Sequence, residues 1–117
     1  MAAPNIVNVT TITGKTAVQA VGTSATAIVT NSAASGKVFK VNALYVSNVD
    51  GTNNADITVD IFRSSTAYRI ASTVVVPADG ALDVITKAFY LEEGDTLRLT
   101  ASAAGDLEAV CSYEEIN

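Results

Sequence analysis

Histidine and tryptophan are absent from the 117 residues, and cysteine occurs once. Without histidine there is no Ser-His-Asp or Cys-His catalytic group, and the commonest metal ligand is missing. A lone cysteine, Cys111, closes no disulfide within the chain and builds no zinc set. Its neighbours alternate in strand fashion, so it reads as a small buried apolar side chain. Charge is also scarce, with 7 Lys and Arg against 12 Asp and Glu and a net charge of −5. The basic residues form no run, which argues against nucleic acid, since phosphate binding needs concentrated Lys and Arg. No apolar run approaches about 18 residues, so no membrane-spanning helix is expected. The opening residues lack the charged and apolar regions of a signal peptide. Asn8 and Thr10 match a glycosylation sequon, which carries no weight without such a signal.

What is present is apolar and β-branched. About half the chain, 49%, is hydrophobic, and that set is rich in Val, Ala and Ile rather than Leu. Branched β-carbons pack well on a pleated surface and lose rotamers in a helix. Helix formers never recur at helical spacing. The length fits one domain with a real core.

Residues 37–62 organise the pattern as two long strands joined by a polar loop, a central hairpin. In the second strand Ile57, Val59 and Ile61 face one way and Thr58 and Asp60 the other, the period of a half-buried strand. The first is apolar on both faces. It is either covered on both sides or carries a bulge near Asn42 that switches its inward face. Asn48, Asp50, Gly51, Asn53 and Asn54 supply turn chemistry between them. Further short strands are expected over 17–21, 25–30, 68–76, 81–86, 88–91, 96–102 and 107–113. The strand over 68–76 should show Tyr68, Ile70, Val74 and Val76 on one face. Pro77 and Gly80 mark a turn in which glycine permits positive φ. About eight strands at this spacing predict an all-β fold, a β-sandwich and in particular a jelly roll. An Ig-like sandwich is the second arrangement, without its paired cysteines and core tryptophan.

Residues 1–16 differ from the 17–117 sandwich. They read as an extended N-terminal arm, with Gly14 as a joint and an alternation that has no assigned partner strand. Ile6, Val7, Val9 and Ile12 are its candidate partner-binding residues, since an unpaired strand can add to a sheet edge. Chemistry is otherwise thin. Asp83, Glu92, Glu93, Asp95, Asp106 and Glu108 fall at turns or outward positions, a solvated acidic rim. Asp50, Asn53, Asn54 and Asp56 are a weak calcium candidate, because alternate loop oxygens can bind that ion. They lack the closing Glu and flanking helix of an EF-hand, and a loop needs such residues for its turns anyway. No cofactor and no catalytic residue are expected. Tyr68, Tyr90 and Tyr113 are candidates for a subunit contact.

The order of segments carries a resemblance. Residues 35–42 (SGKVFKVN), 44–48 (LYVSN), 76–80 (VPADG), 90–97 (YLEEGDTL), 100–107 (TASAAGDL) and 112–116 (SYEEI), with the opening MAAPNIV, resemble small β-sandwich virion structural proteins of tailed bacteriophages. The opening and the close resemble in particular virion proteins of marine cyanophages. The resemblance covers nearly the whole chain, but its motifs are strand-and-turn motifs. It implies a non-enzymatic virion protein, made in the host cytoplasm, that decorates and cements the capsid exterior. It also admits a neck, tail or fibre component. A carbohydrate-binding module for host attachment is a third reading, which the lack of tryptophan disfavours. The implied partners are the major capsid protein or other virion proteins, with no nucleic acid and no membrane. High apolar content and low charge add a homo-oligomer, expected as a trimer.

Overall fold

The computed structural model describes residues 4–117, so the first three residues of the expected arm lie outside the described residues. The strands are β1 (Ile12–Ala20), β2 (Thr26–Thr30), β3 (Val38–Asn48), β4 (Ala55–Arg63), β5 (Thr66–Val76), β6 (Ala81–Asp83), β7 (Phe89–Leu91), β8 (Thr96–Ala101) and β9 (Leu107–Ile116). Among the described residues there is no helix. Two antiparallel sheets face each other. Sheet I runs β1-β9-β3-β6, with β7 also pairing β3, and sheet II runs β2-β8-β4-β5. Each sheet has one apolar face, and stacking those faces forms the core of a β-sandwich. Leu44, Val46, Leu91 and Cys111 from sheet I meet Ile57, Val59, Leu97 and Leu99 from sheet II, all fully buried.

The long strand of the sequence pattern is central, and it is also bulged. Its register with β9 steps between Val41 and Ala43, leaving Asn42 unpaired and exposed. Phe39 and Val41 face the core before the bulge, and Leu44, Val46 and Asn48 face it after. One extra residue reverses the inward parity, which is why both parities are apolar.

The central hairpin is corrected. β3 and β4 do not pair; they lie in opposite sheets, and residues 49–54 arch between them. The polar loop suits an arch as well as a hairpin because its residues answer to local turn geometry. Buried Asn48 holds the arch. Its Nδ2 donates to the carbonyls of Asn53 and Val76, and its Oδ1 accepts from the N–H of Asp50. A second buried asparagine, Asn31, does the same at the β2–β3 crossing. Its Nδ2 donates to the carbonyls of Lys37 and Leu91, and Ser35 Oγ donates to its Oδ1.

Two further expectations change. The first strand begins at Ile12 rather than Ala17, so Gly14, expected as a joint, lies inside β1. In β5 only Val76 is buried, while Tyr68, Ile70 and Val74 are exposed. Its register with β4 steps twice, between Ile57 and Val59 and between Val59 and Asp60, each step placing an extra residue in β5. These bulges break the alternation on which the single-face expectation rested. In the 77–80 turn the positive φ belongs to Asp79, at 57°. Gly80 is required for space instead, since a Cβ there would come within 3.0 Å of the Pro77 carbonyl oxygen.

Candidate interaction surface

The two outer faces of the sandwich are built differently. On sheet II, Thr58 stands beside Thr100, Asp60 beside Arg98, and Phe62 beside Thr96. Arg98 Nε donates to Asp60 Oδ1 at 2.9 Å, and its guanidinium lies 4.0 Å from the Phe62 ring centre. Phe62 is therefore capped by a cation, and the carboxylate below it is paired. The centre of the face is polar and self-contained, while Val75 stays exposed beside Asp56 on its β5 side.

On sheet I the register aligns Val18 with Val110 and Val110 with Tyr45. These side chains are 74%, 40% and 51% exposed. They make an apolar row across β1, β9 and β3 that ends on β6 at Asp83, the register partner of Tyr45. Thr16, Ser112 and Ala43 form a row of small residues beside it. Sequence reasoning missed the row. Each member sits in a different strand, and only the pairing brings them together.

At the other end of the same face the segment before β1 folds back. Val38 and Ile116 occupy outward positions yet are buried. Pro4 and Ile6 line a cleft with Val38, Tyr90 and Glu92. Asn117 anchors the approach: its carbonyl accepts from the N–H groups of Thr10 and Thr11, and its N–H donates to the Thr11 carbonyl. Of the candidate partner-binding residues, Ile6 thus lies over its own sheet, Val9 is half-buried, and Ile12 is an exposed member of β1. Val7 is 90% exposed.

The calcium candidates are engaged in turn geometry. Asp50 Oδ1 accepts from the N–H of Thr52 and Asn53, and Oδ2 accepts from Asn53 Nδ2. These bonds, led by the one from Thr52, hold the Asp50 carboxyl below its ordinary range. Asn54 Oδ1 accepts from the Ala78 N–H, and the Asp56 N–H donates to Ser102 Oγ, so the four residues face separate tasks. Among the described residues no three His, Cys, Asp or Glu side chains form a group suited to a metal.

The acidic rim is not uniformly solvated. Asp95 is buried and accepts from Arg63 Nε, Arg63 Nη2 and the Glu92 N–H. Burial opposes its charge, but these bonds prevail and hold the carboxyl low, while the same contacts raise Arg63. Glu115 is likewise resisted by burial, yet Lys15 at 3.0 Å and Lys37 at 3.2 Å keep it ionised below the usual glutamate range. Cys111 is inert in this setting, its thiol pushed up to about 11 by burial. Tyr68 and Tyr90 are exposed, whereas Tyr113 packs inward against Phe39 with ring centres 5.6 Å apart.

These features define an antiparallel β-sandwich with one outer face polar at its centre and the other crossed by an apolar row. No protein-family model matches the sequence, and no curated protein matches it. Solved structures do share the fold. A chain of the Bacillus endospore appendages, described as a novel family of disulfide-linked pili, superposes with a TM-score of 0.53 at 18% identity, covering 92% of this chain and 88% of that one. A chain from the acidic stable capsid of Helicobacter pylori bacteriophage KHP30 gives a TM-score of 0.50 at 8% identity, covering 94% and 90%. At these identities the likeness is one of fold.

Proposed function

We propose that this chain is a non-enzymatic structural subunit of a virion, which decorates and stabilises the outside of a tailed-phage capsid through protein–protein contacts. The observation that carries the reading is the asymmetry of the outer faces. A repeated shell subunit needs a rigid body, little charge and one apolar face that its neighbour covers. The row Val18, Val110 and Tyr45 supplies that face, and the major capsid protein is the partner it would meet. Val7 and Ile12, exposed at the other end of the same face, are further contacts from the start of the chain. The fold shared with a phage capsid chain and with a pilus chain supports the reading. The strand order supports a jelly roll, with β6 and β7 as two pieces of one strand beside β3. Contact between copies about a three-fold axis, the trimer expected from composition, belongs to the same proposal.

Copy number in purified virions tests it. Counts on the order of hundreds per particle fit a subunit repeated over the shell. A count of roughly a dozen would move the protein to the neck, tail or fibre. Val110→Asp should abolish co-sedimentation with particles while leaving the melting temperature near that of the parent, because Val110 faces outward. Full binding by that variant would remove the apolar row from the interface.

A further inference from the structure

Sheet I ends on β1, and that edge is open. The pairing of β1 with β9 is unbroken over the whole strand, from Ile12 opposite Ile116 to Ala20 opposite Glu108. Its ends set the parity of the hydrogen bonds. Thr11 and Asn117 exchange both bonds, and the Val21 N–H donates to the Leu107 carbonyl. Antiparallel pairs alternate, so the odd-numbered residues of β1 bond to β9. The even-numbered ones, Ile12, Gly14, Thr16, Val18 and Ala20, direct their N–H and C=O groups away from the sheet, where no described strand pairs with them. Natural sandwiches blunt such an edge with proline, bulges or charge. β1 has no proline and no bulge, and its one charge, Lys15, is already paired with Glu115.

We infer that β1 pairs with β1 of a second copy, antiparallel about a two-fold axis at Thr16, joining two copies of sheet I into one continuous sheet. The edge is complementary to itself in this register. Thr16 lies opposite Thr16 of the second copy, Gly14 opposite Val18, and Ile12 opposite Ala20, so every outward N–H and C=O finds a partner. On either side of the axis a large side chain meets a small one. Val18 is the most exposed apolar side chain of the strand, and Gly14 has open space where its Cβ would be. Lys15 falls opposite Ala17, which keeps the two ammonium groups from facing each other. The segment before β1 does not obstruct the edge, since Pro4 and Ile6 lie on the far side of the sheet against Val38 and Tyr90.

This contact goes beyond the virion reading, and it admits that reading's three-fold contact only within a six-copy assembly. It makes the mass in solution an even multiple of the chain, two copies alone or six if a three-fold axis is also present. Light scattering of the purified protein at tens of micromolar reads that mass. Thr16→Pro removes an N–H that points off the sheet, a place where an edge strand accepts proline, and should halve the mass with circular dichroism unchanged. Thr16→Cys should form a disulfide-linked dimer on mild oxidation, because the axis sets the two residues opposite each other within bridging range. Val18→Cys, which would face Gly14, should not. A monomeric or three-copy parent, a Thr16→Pro variant that folds and keeps the parent mass, or cross-linking at Val18→Cys in place of Thr16→Cys overturns the inference. Should Thr16→Pro fail to fold, the two cysteine variants decide it.

Discussion

The molecule has two long edge strands, and they solve the same problem in opposite ways. β5 is the longer, 11 residues against 9 for β1. It also exposes more apolar surface, with Tyr68, Ile70, Val74 and Val75. Yet β5 is the guarded edge. Two bulges interrupt it, Thr73 takes a φ of 48°, and Ser64 and Ser65 turn at positive φ just before it. Its outward N–H and C=O groups therefore follow no even spacing, and a straight strand laid beside it would lose register within a few residues. β1 exposes less apolar surface but presents its groups at regular intervals. What invites pairing at a sheet edge is the spacing of backbone groups, and side-chain hydrophobicity comes second.

Four substitutions break or sharpen that contrast. The largest effect lies beneath β5. Val59 is fully buried in β4, between Ala71 on β5 and Leu99 on β8. Val59→Asp places an unpaired charge there and should cost several kcal/mol, of the order of a small domain's stability. Expression as insoluble or unfolded protein by circular dichroism is the expected outcome. A soluble variant that melts normally would mean that β5 does not seal the strand below it.

Next comes the parity of β1. Ala17→Pro deletes an N–H that faces β9 and leaves a carbonyl of that strand without its donor, at a cost of about 1–3 kcal/mol, in contrast to the tolerated Thr16→Pro one residue away. Chemical denaturation of the two variants side by side compares them. Equal losses would mean the hydrogen-bond parity is reversed.

A smaller effect concerns what pins β1 to its neighbour. Glu115 on β9 holds Lys15 of β1 and also Lys37. Its folded carboxyl lies below the ordinary 4.5, so folding binds it in the ionised form. The stabilisation is complete above that ordinary value and fades as pH falls through the lower folded one. Glu115→Gln should lose about 1 kcal/mol near neutrality, discounted for the half-exposed lysines. Its stability should converge with that of the parent in acid. Melting curves at stepped pH check the sign, and a gap that widens in acid contradicts it.

The smallest effect is a gain. Thr73 is β-branched and sits at positive φ, so Thr73→Gly should relieve about 1 kcal/mol of strain. The Thr73 N–H bond to Thr58 Oγ1 at 3.0 Å uses the backbone and survives the change. Differential scanning calorimetry should find a rise of a few degrees.

The two edges also mark the limit of what the residues disclose in one dimension. The bulge at Asn42 was one of two readings open to a strand with apolar residues in both parities, the other being cover on both faces. The two bulges of β5 leave no such trace. Exposed Tyr68, Ile70 and Val74 are chemically indistinguishable from core residues. The separation of β3 from β4 was hidden because an arch and a hairpin need the same turn residues. One hint existed: after the bulge, Asn48 shares the inward parity of Leu44 and Val46, so a buried amide was to be expected beside the loop. The pairing of Asp60 with Arg98, and of Asp95 with Arg63, depends on strand neighbours far apart in the chain. So does the row Val18, Val110 and Tyr45.

The placement of β9 has a consequence for how the molecule comes into being. β9 lies between β1 and β3, and β8 lies between β2 and β4. The earliest strands to leave the ribosome therefore have no neighbour in either sheet until residues near the end of the sequence follow them. Closing loops of that length before any ladder forms is slow, as in other folds ruled by distant contacts. A nascent chain halted before β8 would carry β1, β2 and β3 with their common partners missing. Such a chain could not present the flat edge or the apolar row in working form. Faulty, shortened copies would be excluded from any assembly by topology alone, before a single contact with a neighbour is tested.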